Sequence, residues 1–153
     1  MRFLFTDKSV IIYNAIADEG LKFNRYDNKL VIISLSRFDF AKNMDMAYRI
    51  AKALRNNHEI EFVWVGDGED FVRLKQKSVE EHVNINFIGF TEYPMSYLKN
   101  ADLYLSTSRF EGLPYALIEA ASVGLPIVAT DVVGNNEVVL HDYNGLVFKT
   151  EQE

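Results

Sequence analysis

The chain has 153 residues, a formal net charge of −6 and no cysteine. That is the size of one domain with a single core. The absence of cysteine excludes a disulfide framework or a thiolate metal site and suits a reducing compartment, and the acidic balance argues against nucleic acid as the main partner. No apolar run approaches the length needed to span a bilayer, and Met1–Phe5 is too short for the core of a secretory leader.

In chain order, residues 1–28 read as a lead-in segment between domains. They hold a short apolar run, Val10–Tyr13, then Asn14-Ala15-Ile16, and end in the polar stretch Phe23–Asn28. Residues 30–36 are an apolar run of strand length. Met46, Ile50 and Leu54, with Ala47, Ala51 and Ala53 between them, predict a helix over 44–54. A strand is expected at 60–65, a polar helix at 71–79, and short strands at 85–88, 103–106, 127–130 and 146–148. Continuous apolar runs alternating with helices mark strands buried on both faces. The expected fold is α/β: a Rossmann-like, doubly wound parallel sheet with helices on both faces, binding ligands at the carboxyl ends of its strands.

Several loops at those strand ends carry candidate chemistry. Ser36–Asn43 places Arg37 and Lys42 on one loop. A guanidinium fork and an ammonium suit a diphosphate, although two cations on a loop are also ordinary solvated surface. Gly66-Asp67-Gly68 reads as a tight strand-to-helix turn and not as a dinucleotide fingerprint, because Phe71 stands where the third glycine belongs. His58, His82 and His141 have no spacing that suggests a metal site or a triad, and Ser106 and Ser108 lack the elbow of a serine hydrolase.

The richest stretch is Ser106–Val133: strand end, loop, helix, Gly-Leu-Pro turn, strand. Glu111 in the loop and Glu119 on the helix are eight residues apart. Pro114 is expected at the first helical position, with its locked φ. No Ser, Thr or Asp just before it caps the helix, so the first amides are free for an anion, aided by the helix dipole. Glu119 would lie about 7 Å deeper, from a rise of about 1.5 Å per residue. Two carboxylates so placed suit the hydroxyls of an elongated ligand.

E-G-L-P-Y-A-L-I-E-A-A-S-V-G-L-P-I-V-A-T-D also resembles the signature of the retaining GT-B glycosyltransferases of glycosyltransferase family 4. The likeness extends over most of Lys8–Phe148. Asn14-Ala15-Ile16 resembles the turn leading into the C-terminal GT-B domain. Arg37 and Lys42 resemble the family's G-R-x-x-x-x-K-G loop, with Ser36 and Asn43 in place of the glycines. Phe87-Ile88-Gly89-Phe90 resembles its F-x-G-x segment. Gly134-Asn135-Asn136-Glu137 resembles its G-G-x-x-E stretch, with Asn135 for the second glycine, and Asn144–Phe148 resembles its N-G-x-x-V strand.

The resemblance implies a transferase that moves a sugar from a nucleotide-diphospho-sugar, such as a UDP-sugar, to an acceptor hydroxyl with retention. In that picture Arg37, Lys42 and the amides near Tyr115 hold the diphosphate, and Glu119 holds the ribose. Gly89 and Phe90 border the base. Glu111, the catalytic candidate, contacts the sugar beside Gly112 and Leu113. No metal or cofactor is expected beyond the donor. The setting implied is polysaccharide or glycolipid assembly, such as capsule or lipopolysaccharide, in the cytoplasm and peripheral to the inner face of the membrane. Residues 29–153 would be the donor domain, stopping before the closing helices and lacking the N-terminal acceptor domain. The chain alone would then bind donor weakly without transferring sugar. The competing readings are a non-catalytic sugar-nucleotide-binding module and a sugar-nucleotide epimerase of the same fold.

Overall fold

Strands buried on both faces cannot alternate apolar with polar residues, and the runs seen in the sequence form such a sheet. A computed structural model describes residues 15, 16 and 29–149. The lead-in run and its turn thus fall almost wholly outside the described residues. The strands are β1 (Leu30–Leu35), β2 (Ile60–Val65), β3 (Ile85–Gly89), β4 (Leu103–Ser106), β5 (Ile127–Thr130) and β6 (Gly145–Phe148). They form a six-stranded sheet in the order β3-β2-β1-β4-β5-β6, and each neighbouring pair is parallel. The helices between them are α1 (Met44–Ala53), α2 (Phe71–Glu80), α3 (Pro94–Leu98), α4 (Tyr115–Ser122) and α5 (Val133–Asn136). This is the Rossmann-like, doubly wound architecture expected.

Successive side chains of each strand go to opposite faces, and here they sort into two cores. Phe62 and Trp64 of β2 join Met44, Ala47, Tyr48 and Ala51 of α1 and Leu74 of α2. Val63 and Val65, the alternate residues, join Leu98 of α3 and Leu117 and Ala120 of α4. The first core is aromatic: Phe38 and Phe71 meet edge-on with centroids 5.1 Å apart, and Trp64 and Phe87 at 5.2 Å. The second is almost wholly aliphatic. Truncating a fully buried member such as Leu117 to Ala would cost about 2–5 kcal/mol.

Expectation and structure differ in a few places. β1 stops at Leu35, one residue short of the predicted end, and β6 starts one residue early, at Gly145. α3 and α5 were not anticipated; each is too short to show a period of 3.6 residues. Pro114 is not the first helical residue. It precedes α4 with extended backbone, φ −77° and ψ 113°, and its carbonyl accepts from Leu117 N at 3.2 Å and Ile118 N at 3.3 Å. Phe40, Phe90, Phe110 and Tyr115 are exposed, all near the carboxyl ends of the strands.

The chain leaves β1 toward β2 and β3, then returns to place β4 on β1's other side. This reversal opens a crevice beyond the carboxyl ends of β1 and β4.

Candidate functional site

The loop from Ser36 to Asn43 is shaped by what it buries. Phe38 is completely buried among Trp64, Phe71 and Phe87. Its amide donates to the Asp67 carbonyl at 3.0 Å, and its own carbonyl accepts from Asp70 N at 3.0 Å. Gly66, at φ 123°, is required here because a Cβ would collide with the Ser36 carbonyl. The Gly66–Gly68 turn is therefore a structural clasp between two loops. Asp39 closes the far side: Lys42 N donates to Asp39 Oδ1 at 3.0 Å and Asn43 N to its carbonyl at 3.2 Å. Asn43 ends the loop at φ 51°, left-handed backbone that asparagine tolerates better than most side chains. Asn43 stands where a glycine was expected from the resemblance, and that conformation explains why either residue serves.

The loop after β4 is stitched onto this one. Thr107 Oγ1 lies 3.1 Å from the carbonyls of both Lys42 and Asn43, and Arg109 N donates to the Ala41 carbonyl at 2.8 Å. The Arg109 guanidinium stacks 4.6 Å from the Phe40 ring centroid. These ties bring Lys42 and Glu111, 69 residues apart, into an ion pair with Nζ–Oε1 2.5 Å. Their side chains are 22% and 10% exposed, so the pair is shielded from solvent. Ser108 Oγ donates to the same oxygen at 2.6 Å. From behind, a Cβ on Gly134 of α5 would clash with the Glu111–Gly112 backbone, so α5 packs directly on the loop.

The second carboxylate has other surroundings. Glu119 is half-buried on α4, and among the described residues no hydrogen bond or ion pair reaches its carboxylate; its backbone carbonyl accepts from Ser122 Oγ at 2.7 Å. Desolvation raises its pKa above the ordinary value of 4.5. It faces an open cleft of about 670 Å³ that Lys42 and Glu111 also line. Arg37, Leu113, Tyr115 and Phe90 complete the rim relevant here. Arg37 is 79% exposed and pairs with Asp39 at 3.1 Å; Phe90 is 77% exposed. At the start of α4 no side chain caps the helix, and the amides of Tyr115 and Ala116 precede the first bond within the turn. Gly112 and Gly89 do not line the cleft; the Gly112 carbonyl packs toward Gly134.

The cleft thus holds two cations and a helix N-terminus between two carboxylates, one already paired through a single oxygen and one with no partner. Such an arrangement suits a ligand with an anionic middle and hydroxyl-bearing ends. Sequence reasoning missed the supporting residues. Thr130 and Asn135 are buried, and Asp39 staples the cationic loop. Their types are unremarkable, and none has a periodic relation to Glu111 or Lys42.

Comparison with known proteins gives the family of the chain. The family model described as "Glycosyl transferases group 1" matches residues 18–153. The chain is 27% identical over 142 residues to the O-antigen biosynthesis glycosyltransferase WclY of Escherichia coli, covering 85% of this chain and 39% of that protein. It is 30% identical over 145 residues to the capsular polysaccharide biosynthesis glycosyltransferase CapH of Staphylococcus aureus, covering 88% and 40%. The chain therefore spans about two-fifths of the length of these relatives. The crystal structure of Anabaena HepE in complex with UDP-glucose matches with a TM-score of 0.72 and 26% identity, over 80% of this chain and 35% of that one.

Proposed function

The chain belongs to the glycosyl transferases group 1 family, and from that premise we propose that its cleft binds a nucleotide-diphospho-sugar as the donor of a glycosyl transfer. The observation that carries the reading is the convergence of Arg37, Lys42, Glu111 and Glu119 on one cleft at the crevice between β1 and β4. Lys42, Arg37 and the first amides of α4 take the diphosphate. Glu119 accepts hydrogen bonds from the ribose hydroxyls, which removes its unfavourable isolation. Glu111 accepts from hydroxyls of the sugar, beside Leu113 and the Gly112 backbone, and Phe90 borders the base. The UDP-glucose held by HepE supports this ligand class.

In the transfer, the bond from the anomeric carbon to the diphosphate oxygen breaks and its electron pair leaves with the diphosphate. The acceptor oxygen bonds to the same face of that carbon, giving retention, and its proton is taken up by the departing diphosphate. The main catalytic term is electrostatic: Lys42, Arg37 and the helix end meet the negative charge growing on the leaving group. With no further cofactor in this reading, the chain's own cations do that work. The relatives' greater length supports an acceptor side built by residues other than these. Among the described residues no helix is long and apolar enough to cross a membrane. The WclY and CapH names support polysaccharide assembly, which we place in the cytoplasm at the inner face of the membrane.

Calorimetric titration with UDP-glucose tests the reading. Binding is expected to weaken by roughly tenfold or more in both Arg37→Ala and Glu119→Ala, since each loses a hydrogen bond to a charged group. Titration of wild type and variants with no heat from any nucleotide sugar would reject it.

A further inference from the structure

The hydrogen bonds to Glu111 all fall on one of its two oxygens. Oε1 accepts from Lys42 Nζ at 2.5 Å and from Ser108 Oγ at 2.6 Å, and among the described residues no bond to Oε2 is seen. Ser108 is itself fixed from behind. Its carbonyl accepts from Thr130 Oγ1 at 2.6 Å, and Thr130 in turn accepts from Asn135 Nδ2, at 3.0 Å on its carbonyl and 3.2 Å on its hydroxyl. Ser108, Thr130 and Asn135 are all buried, Asn135 completely. Three residues from β5, α5 and the β4–α4 loop thus form a buried polar chain ending on the candidate sugar-contacting carboxylate.

The two donors on Oε1 are not equivalent. Lys42 is a flexible point charge that a diphosphate in the cleft also attracts. Ser108 has one short, buried hydroxyl, whose other neighbour is the Ser106 hydroxyl at 3.5 Å, well beyond the 2.6 Å to Glu111. When Lys42 turns toward a diphosphate, Ser108 is what keeps Oε1 in place and Oε2 unencumbered. We infer that Ser108, backed by Thr130 and Asn135, is a positioning residue that holds Glu111 by Oε1 and reserves Oε2 for a hydroxyl of the donor sugar. This rests on the donor-binding reading, and it adds residues that no motif in the chain assigns to that task.

A positioning role for the sugar alone has a distinctive signature. Ser108 is involved with Glu111 and not with the cations, so its loss acts on the sugar moiety and leaves the nucleotide moiety alone. The test is calorimetric titration of the full chain with UDP, UDP-glucose, UDP-galactose and UDP-N-acetylglucosamine, and with GDP and GDP-mannose. Wild type, Ser108→Ala and Ser108→Thr are compared.

Wild type is expected to bind one nucleotide sugar more tightly than its bare nucleotide. Ser108→Ala should keep the nucleotide affinity within about twofold, which also shows that it is folded, and lose roughly tenfold on that sugar nucleotide. Ser108→Thr, which keeps the hydroxyl, should restore most of it. A Ser108→Ala variant that keeps the sugar preference overturns the inference, as does one that loses nucleotide and sugar nucleotide equally. A wild type that binds nucleotides with no sugar preference overturns it too, while leaving nucleotide binding intact. A wild type that binds nothing in the panel overturns the donor-binding reading itself.

Discussion

The two ends of the cleft present the same side chain in opposite surroundings. At the loop end, Glu111 is met by an ammonium and a hydroxyl, both on Oε1, over a buried polar chain. At the helix end, Glu119 is half-buried with no such partner, and desolvation raises its pKa. The difference separates a carboxylate already integrated into the fold from one whose partners arrive with the ligand. Stability should therefore respond in opposite ways at the two ends, while binding of the sugar nucleotide falls at both.

The largest expected effect is at the loop end. Glu111→Ala leaves Lys42 shielded and unpaired, which should cost about 3 kcal/mol of stability and abolish any preference for nucleotide sugar over nucleotide. Thermal melting and titration of that one variant check both. Next comes Glu119→Gln, for which the two readouts diverge: UDP-glucose binding falls roughly tenfold, by loss of charged hydrogen bonds, while the melting temperature holds or rises. The sign follows from linkage. A folded-state pKa raised above the unfolded value means that the folded state holds more protons in the window just above 4.5. The ionised carboxylate therefore lowers stability as pH rises through that window, and the penalty is complete once the folded-state carboxyl is ionised. A Glu119→Gln protein that melts markedly lower would contradict the contrast.

A smaller effect is the pH dependence of the wild type. Ribose hydroxyls donate to the ionised form, so UDP-glucose binding should release a fraction of a proton at pH values where Glu119 is partly protonated, and none well above them. Affinity should fall as pH drops through the raised Glu119 pKa, and this dependence should flatten in Glu119→Gln. Titrations from pH 7 to pH 4.5 measure it. The smallest effect is a control far from either carboxylate. Arg73 bridges α1 and α2 through Asp45 at 2.6 Å and Asp70 at 2.7 Å, and it lowers the Asp45 pKa chiefly by hydrogen bonding. These groups are partly open to solvent, so Asp45→Asn should cost below about 1 kcal/mol. That loss should vanish as pH falls through the lowered Asp45 pKa, with donor binding unchanged.

The legibility of this molecule follows the range of its interactions. Strands buried on both faces announce themselves as continuous apolar runs, so β2 (Ile60–Val65) and β4 (Leu103–Ser106) could be read to the residue. The cationic loop and the two glutamates were also legible, by residue type and by resemblance. What stayed hidden was non-local. The Lys42–Glu111 pair spans 69 residues, and the chain from Asn135 through Thr130 to Ser108 joins three elements with no shared period. Nor could composition separate Phe38, sealed in the core, from Phe40, exposed two residues later. Pro114 fell one position off because its locked φ suits both the first helical residue and the residue before it, and only ψ separates the two.

The most direct test is a crystal structure of the chain with UDP-glucose. The diphosphate should lie between Lys42 and the first amides of α4, with the ribose within about 2.6–3.2 Å of the Glu119 carboxylate and a glucose hydroxyl at a similar distance from Glu111. Nucleotide density in a second open cleft, about 500 Å³ between Gly124 and Tyr143 at the opposite end of the sheet, with the Glu119 side left bare, would contradict the account.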